Sequence, residues 1–347
     1  MRVAVTGLVA TPSDVDFVIE AERAGVASVW VPEAWGQDAL TPLAFLAART
    51  ATIGLGTSIA QVGARTPAML AMSAMSLQAL CGGRFRLGLG TSGPQVMEGW
   101  HGVPFRKPVT TLRETVEIVR MVARGERLEY DGEVYRLPLP DGQGKALRTW
   151  MAPVEVPIYI ASLSERSLEL CGEVADGWLG NVFVPERADA FLDHLAAGAA
   201  RAGRTLADLD LVVPVSVEVT DDVEEAARKH ARGYAFTIGA MGSASTNFYK
   251  AALERQGFTD DVRAVQRLWL DGRREEAEER VPIELGLRTN LIGTPAMIRE
   301  RLRLYRDAGI TTLQAKLDGD TAQKLATVAQ LVELVDEVGR ETVEITV

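Results

Sequence analysis

Between Ile53 and Ser92 the chain reads IGLGTSIAQVGARTPAMLAMSAMSLQALCGGRFRLGLGTS: a short apolar run, a helical stretch, and a second apolar run ending in a glycine-rich turn. That is one β–α–β unit, and no other stretch restricts the fold as much. Ile53, Leu55 and Ile59 suit a buried strand, while Gly54 and Gly56 mark where another backbone or a flat ligand comes close. Pro67 suits the first turn of a helix that carries Met69, Met72, Met75, Leu77 and Leu80 and stops at Gly82-Gly83. Arg84 to Leu89 is the next strand, and Gly88-x-Gly90-Thr91-Ser92-Gly93 turns the chain at its carboxyl end. In a parallel α/β protein, ligands sit at such ends.

The same rhythm runs on both sides of this unit. Val3 to Val9 reads as a first strand, Thr11-Pro12-Ser13-Asp14 opens a helix that stops at Gly25, and Ser28 to Val31 is a second strand, followed by a helix over Asp38 to Thr50. After the fourth strand, Val109 to Ala123 forms a helix with Leu112, Val116, Val119 and Val122 on one face and Arg113, Glu114, Glu117 and Arg120 on the other. Ile158 to Ala161, Gly177 to Gly180, Leu211 to Val219 and Thr311 to Leu317 supply four more strands. Helices over Ser164 to Val174, Pro185 to Ala202, Thr294 to Gly309 and Asp320 to Val338 complete the pattern. Eight strands alternating with helices predict a (β/α)8 TIM barrel over residues 1–347 as one domain. Two insertions interrupt it: 125–157, with a hairpin whose turn is Asp131-Gly132, and 221–285, read as two or three helices.

With 47% hydrophobic residues the chain can bury a large core. A net charge of −10 with no basic block argues against nucleic acid or an anionic membrane as partner. Cys81 and Cys171 stand alone in apolar or Gly-flanked segments, without disulfide or metal spacing, and the N-terminal stretch has one positive charge and an apolar run too short for a signal peptide or a membrane span, so a cytoplasmic protein is expected. His101, His194 and His230 are far apart in sequence, so no metal centre is expected; the last two lie on charged helical segments, where a solvated face is the expectation. No Gly-x-Ser-x-Gly elbow occurs. The strand ends thus offer glycines, hydroxyls and aromatics, which suits holding a flat cofactor better than hydrolysis. Ser162 to Ser167 opens a helix whose free N–H groups suit a phosphate, although Ser164 suits ordinary capping equally well.

Taken together, these residues carry a family resemblance. Gly88-Leu-Gly-Thr-Ser-Gly-Pro-Gln-Val96, with Glu98-Gly-Trp-His-Gly102 and Pro104-Phe105, resembles the fourth-strand motif of luciferase-like oxidoreductases, and most closely the branch that uses the deazaflavin coenzyme F420. Gly56-Thr-Ser-Ile59, Pro157-Ile-Tyr-Ile-Ala-Ser162, Ala175-Asp-Gly-Trp178 and Asn290-Leu-Ile-Gly-Thr-Pro295 extend the likeness over nearly the whole chain. The resemblance implies a barrel with the deazaflavin at its carboxyl mouth, backed by a non-prolyl cis peptide at Ser58-Ile59. It places Glu33, Gln61, Ser92, Gly93, Gln95 and Val96 around the ring and ribityl chain, and Ser162, Leu163, Ser164, Gly180 and Asn181 around the phosphate-bearing tail. It implies an oxidoreductase moving a hydride to or from a small organic substrate, with Glu33, then Glu98 and His101, as proton-handling candidates. The loop from Pro94 to Lys107 is a candidate lid, and Trp35 and Trp100 are candidates for shaping the substrate cavity, with core packing as the alternative for each. FMN with a monooxygenase activity is the second cofactor reading, disfavoured because the fourth strand ends in Thr91-Ser92 where the FMN branch commonly has an Arg. A non-catalytic deazaflavin- or flavin-binding barrel is the third. Ala34 stands where the sugar-phosphate dehydrogenase of the family has a His, which disfavours glucose 6-phosphate oxidation. The resemblance also implies a homodimer.

Overall fold

In the computed structural model, which describes residues 1–7, 9–242 and 247–344, eight parallel strands close on themselves. They are β1 (Arg2–Thr6), β2 (Ser28–Val31), β3 (Gly54–Thr57), β4 (Phe85–Gly90), β5 (Ile158–Ala161), β6 (Gly177–Leu179), β7 (Asp210–Val219) and β8 (Thr312–Lys316). Each pairs with the next, and β8 returns to β1 through Arg2↔Thr312 and its neighbours, which is the (β/α)8 barrel the alternation predicts. The expected first strand is cut short at Thr6, and Leu8 lies outside the described residues.

Local chemistry sets where the crossover helices begin. Thr11, Thr66 and Thr294 each precede a proline and accept the N–H of the third residue on, Asp14, Met69 and Met297. The threonine satisfies one orphan donor and the proline's fixed φ suits the first turn. Inside the barrel, Ala4, Trp30, Tyr159, Leu179 and Val212 form a plug, with the Trp30 and Tyr159 rings edge to face at 5.1 Å. Gly56 makes room for it: a Cβ there would lie 2.3 Å from Trp30 Cε3. The larger core fills the layer between strands and helices.

The insertions depart most from expectation. Six helices occupy the second one: Val223–Arg232, Tyr234–Ala240, Phe248–Arg255, Thr259–Leu270, Arg274–Arg280 and Ile283–Arg288, with residues 243–246 outside the described ones. At 6 to 12 residues each, they span too few turns for a 3.6-residue period to stand out. A three-residue strand, Leu291–Gly293, then extends the sheet beside the upper end of β7. In the first insertion the hairpin pairs Tyr130 with Leu137 and Asp131 with Arg136. Glu114, expected on a solvated helix face, is buried beneath it and accepts the N–H groups of Glu133 (2.7 Å), Val134 (3.1 Å) and Tyr135 (2.8 Å). No described helix is long and apolar enough to cross a membrane.

Candidate active site

The mouth of the barrel is shaped first by a defect in the sheet. Leu55 and Gly56 face Phe85 and Arg86, whereas Ala60 and Gln61 face Leu89 and Gly90, so the offset between partners falls from 30 to 29. One extra residue therefore bulges from the β3 side at Ser58-Ile59, and the peptide between these two is cis, as the resemblance implies. The Thr57 hydroxyl fills the gap in the ladder, donating to Gly88 O at 2.7 Å and accepting from Gly88 N at 2.8 Å. Strand β4 approaches so closely that a Cβ on Gly88 would lie 1.8 Å from Thr57 O. Within the bulge, Ile59 turns inward and packs with Ala161 on top of the aromatic plug. The floor of the mouth is thus apolar.

Glu33, at the end of β2, is placed otherwise than a free proton carrier requires. Arg65 grips both of its oxygens, Nη1 to Oε1 at 2.7 Å and Nη2 to Oε2 at 2.8 Å, while Gln61 N and Ala39 N donate at 3.3 and 3.1 Å. The pair raises the Arg65 guanidinium above its ordinary value through its hydrogen bonds to Glu33. Glu33 is an anchor for the loops after β2 and β3. Gln61, itself buried, donates its amide to Glu33 O (3.1 Å) and Ala34 O (3.0 Å), so its Oε1 must accept from His101 Nε2 at 2.9 Å. That fixes the proton of a neutral His101 on Nε2 and leaves Nδ1 to exchange protons. Arg65 went unnoticed in sequence because its partner lies 32 positions away.

The loop after β4 is tied down at three points. Val103 N donates to Met97 O at 2.9 Å, Phe105 N to Glu98 Oε1 at 3.0 Å, and the Gln95 amide reaches Gly242 O in the second insertion. Glu98 thereby closes the loop upon itself through one of its two carboxylate oxygens. Ser92 has a left-handed backbone (φ 56°), Gly93 leads into a short helix over Pro94–Met97, and Val96 is buried in it. Trp35 and Trp100 are 52% and 65% exposed, which excludes core packing for both.

On the opposite side of the mouth, Ser164 N donates to Ser167 Oγ at 3.2 Å and the two hydroxyls share a 2.8 Å bond, so the Ser164 side chain serves the helix Glu165–Val174. The Ser162 hydroxyl is buried without a partner among the described residues. Arg255, from the second insertion, donates to Leu163 O, and burial lowers its guanidinium below the ordinary value. It forms no ion pair closer than 4 Å among the described residues, and sequence alone gave no reason to place it there. After Gly180, Val182 has a left-handed backbone (φ 48°), rare for a β-branched residue, and Gln256 holds it by donating to Val182 O and accepting from Val184 N, both at 2.8 Å.

A cavity of about 450 Å³ opens at the ends of β6, β7 and β8, lined by Asn181, Ser216, His230, Tyr234, Asn290 and Lys316 among others. His230, expected on a solvated face, is instead mostly buried and hydrogen bonded to Glu218 at 2.8 Å. Glu218, His230 and Asp318 converge as metal ligands could, but Lys229 Nζ stands between the carboxylates at 2.7 and 3.0 Å and supplies the cation. A second cavity of about 520 Å³ lies between the 97–108 loop and the hairpin, lined by Arg65, Thr91, Phe105, Lys107 and Tyr135 among others.

A bulged third strand, an apolar floor and a roomy carboxyl mouth define a ligand-binding (β/α)8 barrel of the enzyme type. The chain belongs to the luciferase-like monooxygenase family, whose model matches residues 10–312. It is 38% identical over 307 residues to a Mycobacterium tuberculosis protein provisionally named a coenzyme F420-dependent oxidoreductase, covering 86% of this chain and 88% of that one. It is 28% identical over 310 residues to the 5,10-methylenetetrahydromethanopterin reductase of Archaeoglobus fulgidus, covering 86% and 87%. The F420-dependent tetrahydromethanopterin reductase of Methanopyrus kandleri shares the fold, with a TM-score of 0.76 at 20% identity over 97% of this chain and 98% of that one.

Proposed function

We propose that this protein is a coenzyme F420-dependent oxidoreductase that moves a hydride between the deazaflavin and a small organic molecule. The observation that carries the reading is the 38% identity, over 86% of the chain, to a relative named for that coenzyme. Strand β4 agrees with it, since it runs out through Thr91, Ser92 and Gly93 with no arginine for an FMN phosphate. The residues present fit a flat ring with an anionic tail: an apolar floor of Ile59 and Ala161, and, at the β5 turn, helix N–H groups beside Arg255.

When bound, the deazaflavin accepts or supplies a hydride at C5 and does not activate oxygen. The chain's residues then have three tasks. Ile59 and the backbone of Gly90 to Gly93 back the ring, while Gln95 and Val96 border it. Ser162, Leu163, Ser164 and Gly180, with Arg255, hold the tail, while Asn181 lines the cavity of about 450 Å³ at the ends of β6, β7 and β8 instead. His101, oriented by Gln61, takes or gives the proton that accompanies hydride transfer, as base when neutral and as acid when charged. Glu33 acts through Gln61 and Arg65 as a positioning residue. Trp35 and Trp100 cover the substrate and limit water.

The protein is further read as a cytoplasmic homodimer: its two thiols are buried and unpaired, and Phe45, Met69, Met72 and Leu80 are exposed on the neighbouring helices Leu40–Ala47 and Pro67–Leu80. Absorbance titration of the purified protein with F420 and with FMN tests the function. Saturable F420 binding is expected; tight FMN binding without F420 binding would overturn the cofactor and most of the site.

A further inference from the structure

Lys316 ends β8 on the face that lines the barrel interior. Two residues earlier, Gln314 Nε2 donates to Thr6 Oγ1 at 2.6 Å, and two before that Thr312 Oγ1 donates to Asp210 Oδ1 at 3.0 Å. One step above this inner row, Lys316 enters the cavity of about 450 Å³. Its side chain is exposed to the water of the cavity, and the protein around it lowers its ammonium below the ordinary lysine value. Among the described residues it has neither a hydrogen-bond acceptor nor a carboxylate within 4 Å. The acids on the rim are already engaged: Glu218 Oε2 receives Lys229 at 2.7 Å and His230 at 2.8 Å, and Asp318 Oδ2 receives Lys229 at 3.0 Å. A cation that no carboxylate neutralises, set in a cavity at the strand ends and in register with Ser216 of β7, is available to a negatively charged ligand.

Neutral donors stand beside it. Asn181 spends its Oδ1 on Val182 N, which leaves its amide N–H groups free among the described residues, and the Ser216 hydroxyl likewise has no partner there. A cation flanked by an amide and a hydroxyl is the donor set of a carboxylate or phosphate receptor. We infer that Lys316, with Asn181 and Ser216, binds the negative group of the substrate, so that the substrate class is small organic acids or phosphate esters carrying the redox carbon in the same molecule. The reaction named here rests on the proposed F420 chemistry; the anion site does not.

The test is calorimetric titration of inorganic phosphate and of succinate into the full-length protein, with and without bound F420, for wild type, Lys316→Met and Lys316→Arg. At least one anion is expected to saturate wild type in both states, to bind Lys316→Met at least about tenfold more weakly, and to bind Lys316→Arg within about threefold. Lys316→Met, which removes an unpaired charge, is expected to melt no lower than wild type, so its loss of binding is not a loss of folding. The inference is overturned if neither anion saturates wild type, or if Lys316→Met binds them unchanged. It is also overturned if F420 displaces the anion and Lys316→Met weakens F420 but not its tail-less deazaflavin analogue, for Lys316 would then hold the cofactor. A protein that binds no deazaflavin defeats the proposed activity but leaves the cofactor-free anion titration fully readable, so the two failures separate.

Discussion

Three side chains, Glu33, Gln61 and His101, are brought into one hydrogen-bonded chain although they come from three different loops. The tautomer argument predicts that His101→Ala lowers hydride turnover by about 10²-fold or more while F420 titration is unchanged. Gln61→Leu, which removes the acceptor, is expected to give a smaller loss and to shift the pH profile of kcat; an unaltered profile would remove Gln61 from the proton route. Arg65 is a separate matter of stability. Arg65→Ala leaves the buried Glu33 carboxylate without its partner and is expected to cost about 3 kcal/mol in urea unfolding.

Glu22 gives a pH prediction of its own. Burial pushes its carboxyl up, but hydrogen bonds from the N–H groups of Ile53, Thr52 and Ala51 and from the Thr52 hydroxyl outweigh it and hold the group below its ordinary value. A lowered carboxylate stabilises the fold above the unfolded value near 4.5 and loses that contribution as pH falls through the folded value. Glu22→Gln should therefore cost about 1–3 kcal/mol at neutral pH and progressively less at lower pH. An equal loss across pH 3 to 7 would contradict the assignment.

For elements, the decisive one is the β3–β4 pair. Thr57 stands in for missing backbone bonds at the bulge, so Thr57→Val strands the N–H and C=O of Gly88 and is expected to lower stability by about 1–3 kcal/mol. Gly88→Ala forces a methyl against Thr57 O and should cost at least as much, or prevent folding. Both strands and the helix between them were legible, because apolar runs, Pro67 at a helix's first turn and Gly82-Gly83 at its end are local signals. The six short helices of the second insertion were not, since each is set by what it packs on. Glu114 shows the same limit: its helical spacing said solvent, and the hairpin folding back over it decided burial.

The whole molecule presents an apolar face that the barrel does not need. Phe45, Met69, Met72 and Leu80 stay exposed on adjacent helices, and their burial in a symmetric pair would add to stability at about 25 cal/mol per Å² of apolar area. Met72→Asp is expected to shift sedimentation from dimer to monomer without loss of helical circular dichroism; a wild-type protein that sediments as a monomer would refute the dimer.

Alternation of short apolar runs with helical segments was enough to prescribe a closed parallel barrel, because parallel strands demand crossovers and eight of them close a ring. Side-chain chemistry at the strand ends pointed to a flat ligand for a similar reason: glycines and hydroxyls are where backbone and ligand approach. What sequence left undecided were the partners. Whether Glu33 meets solvent or Arg65, whether His101 meets Gln61, and whether Lys316 has a counter-charge depend on residues dozens to hundreds of positions apart. Charge and proton placement are set by distances of a few ångströms between loops, and only the folded chain determines those distances.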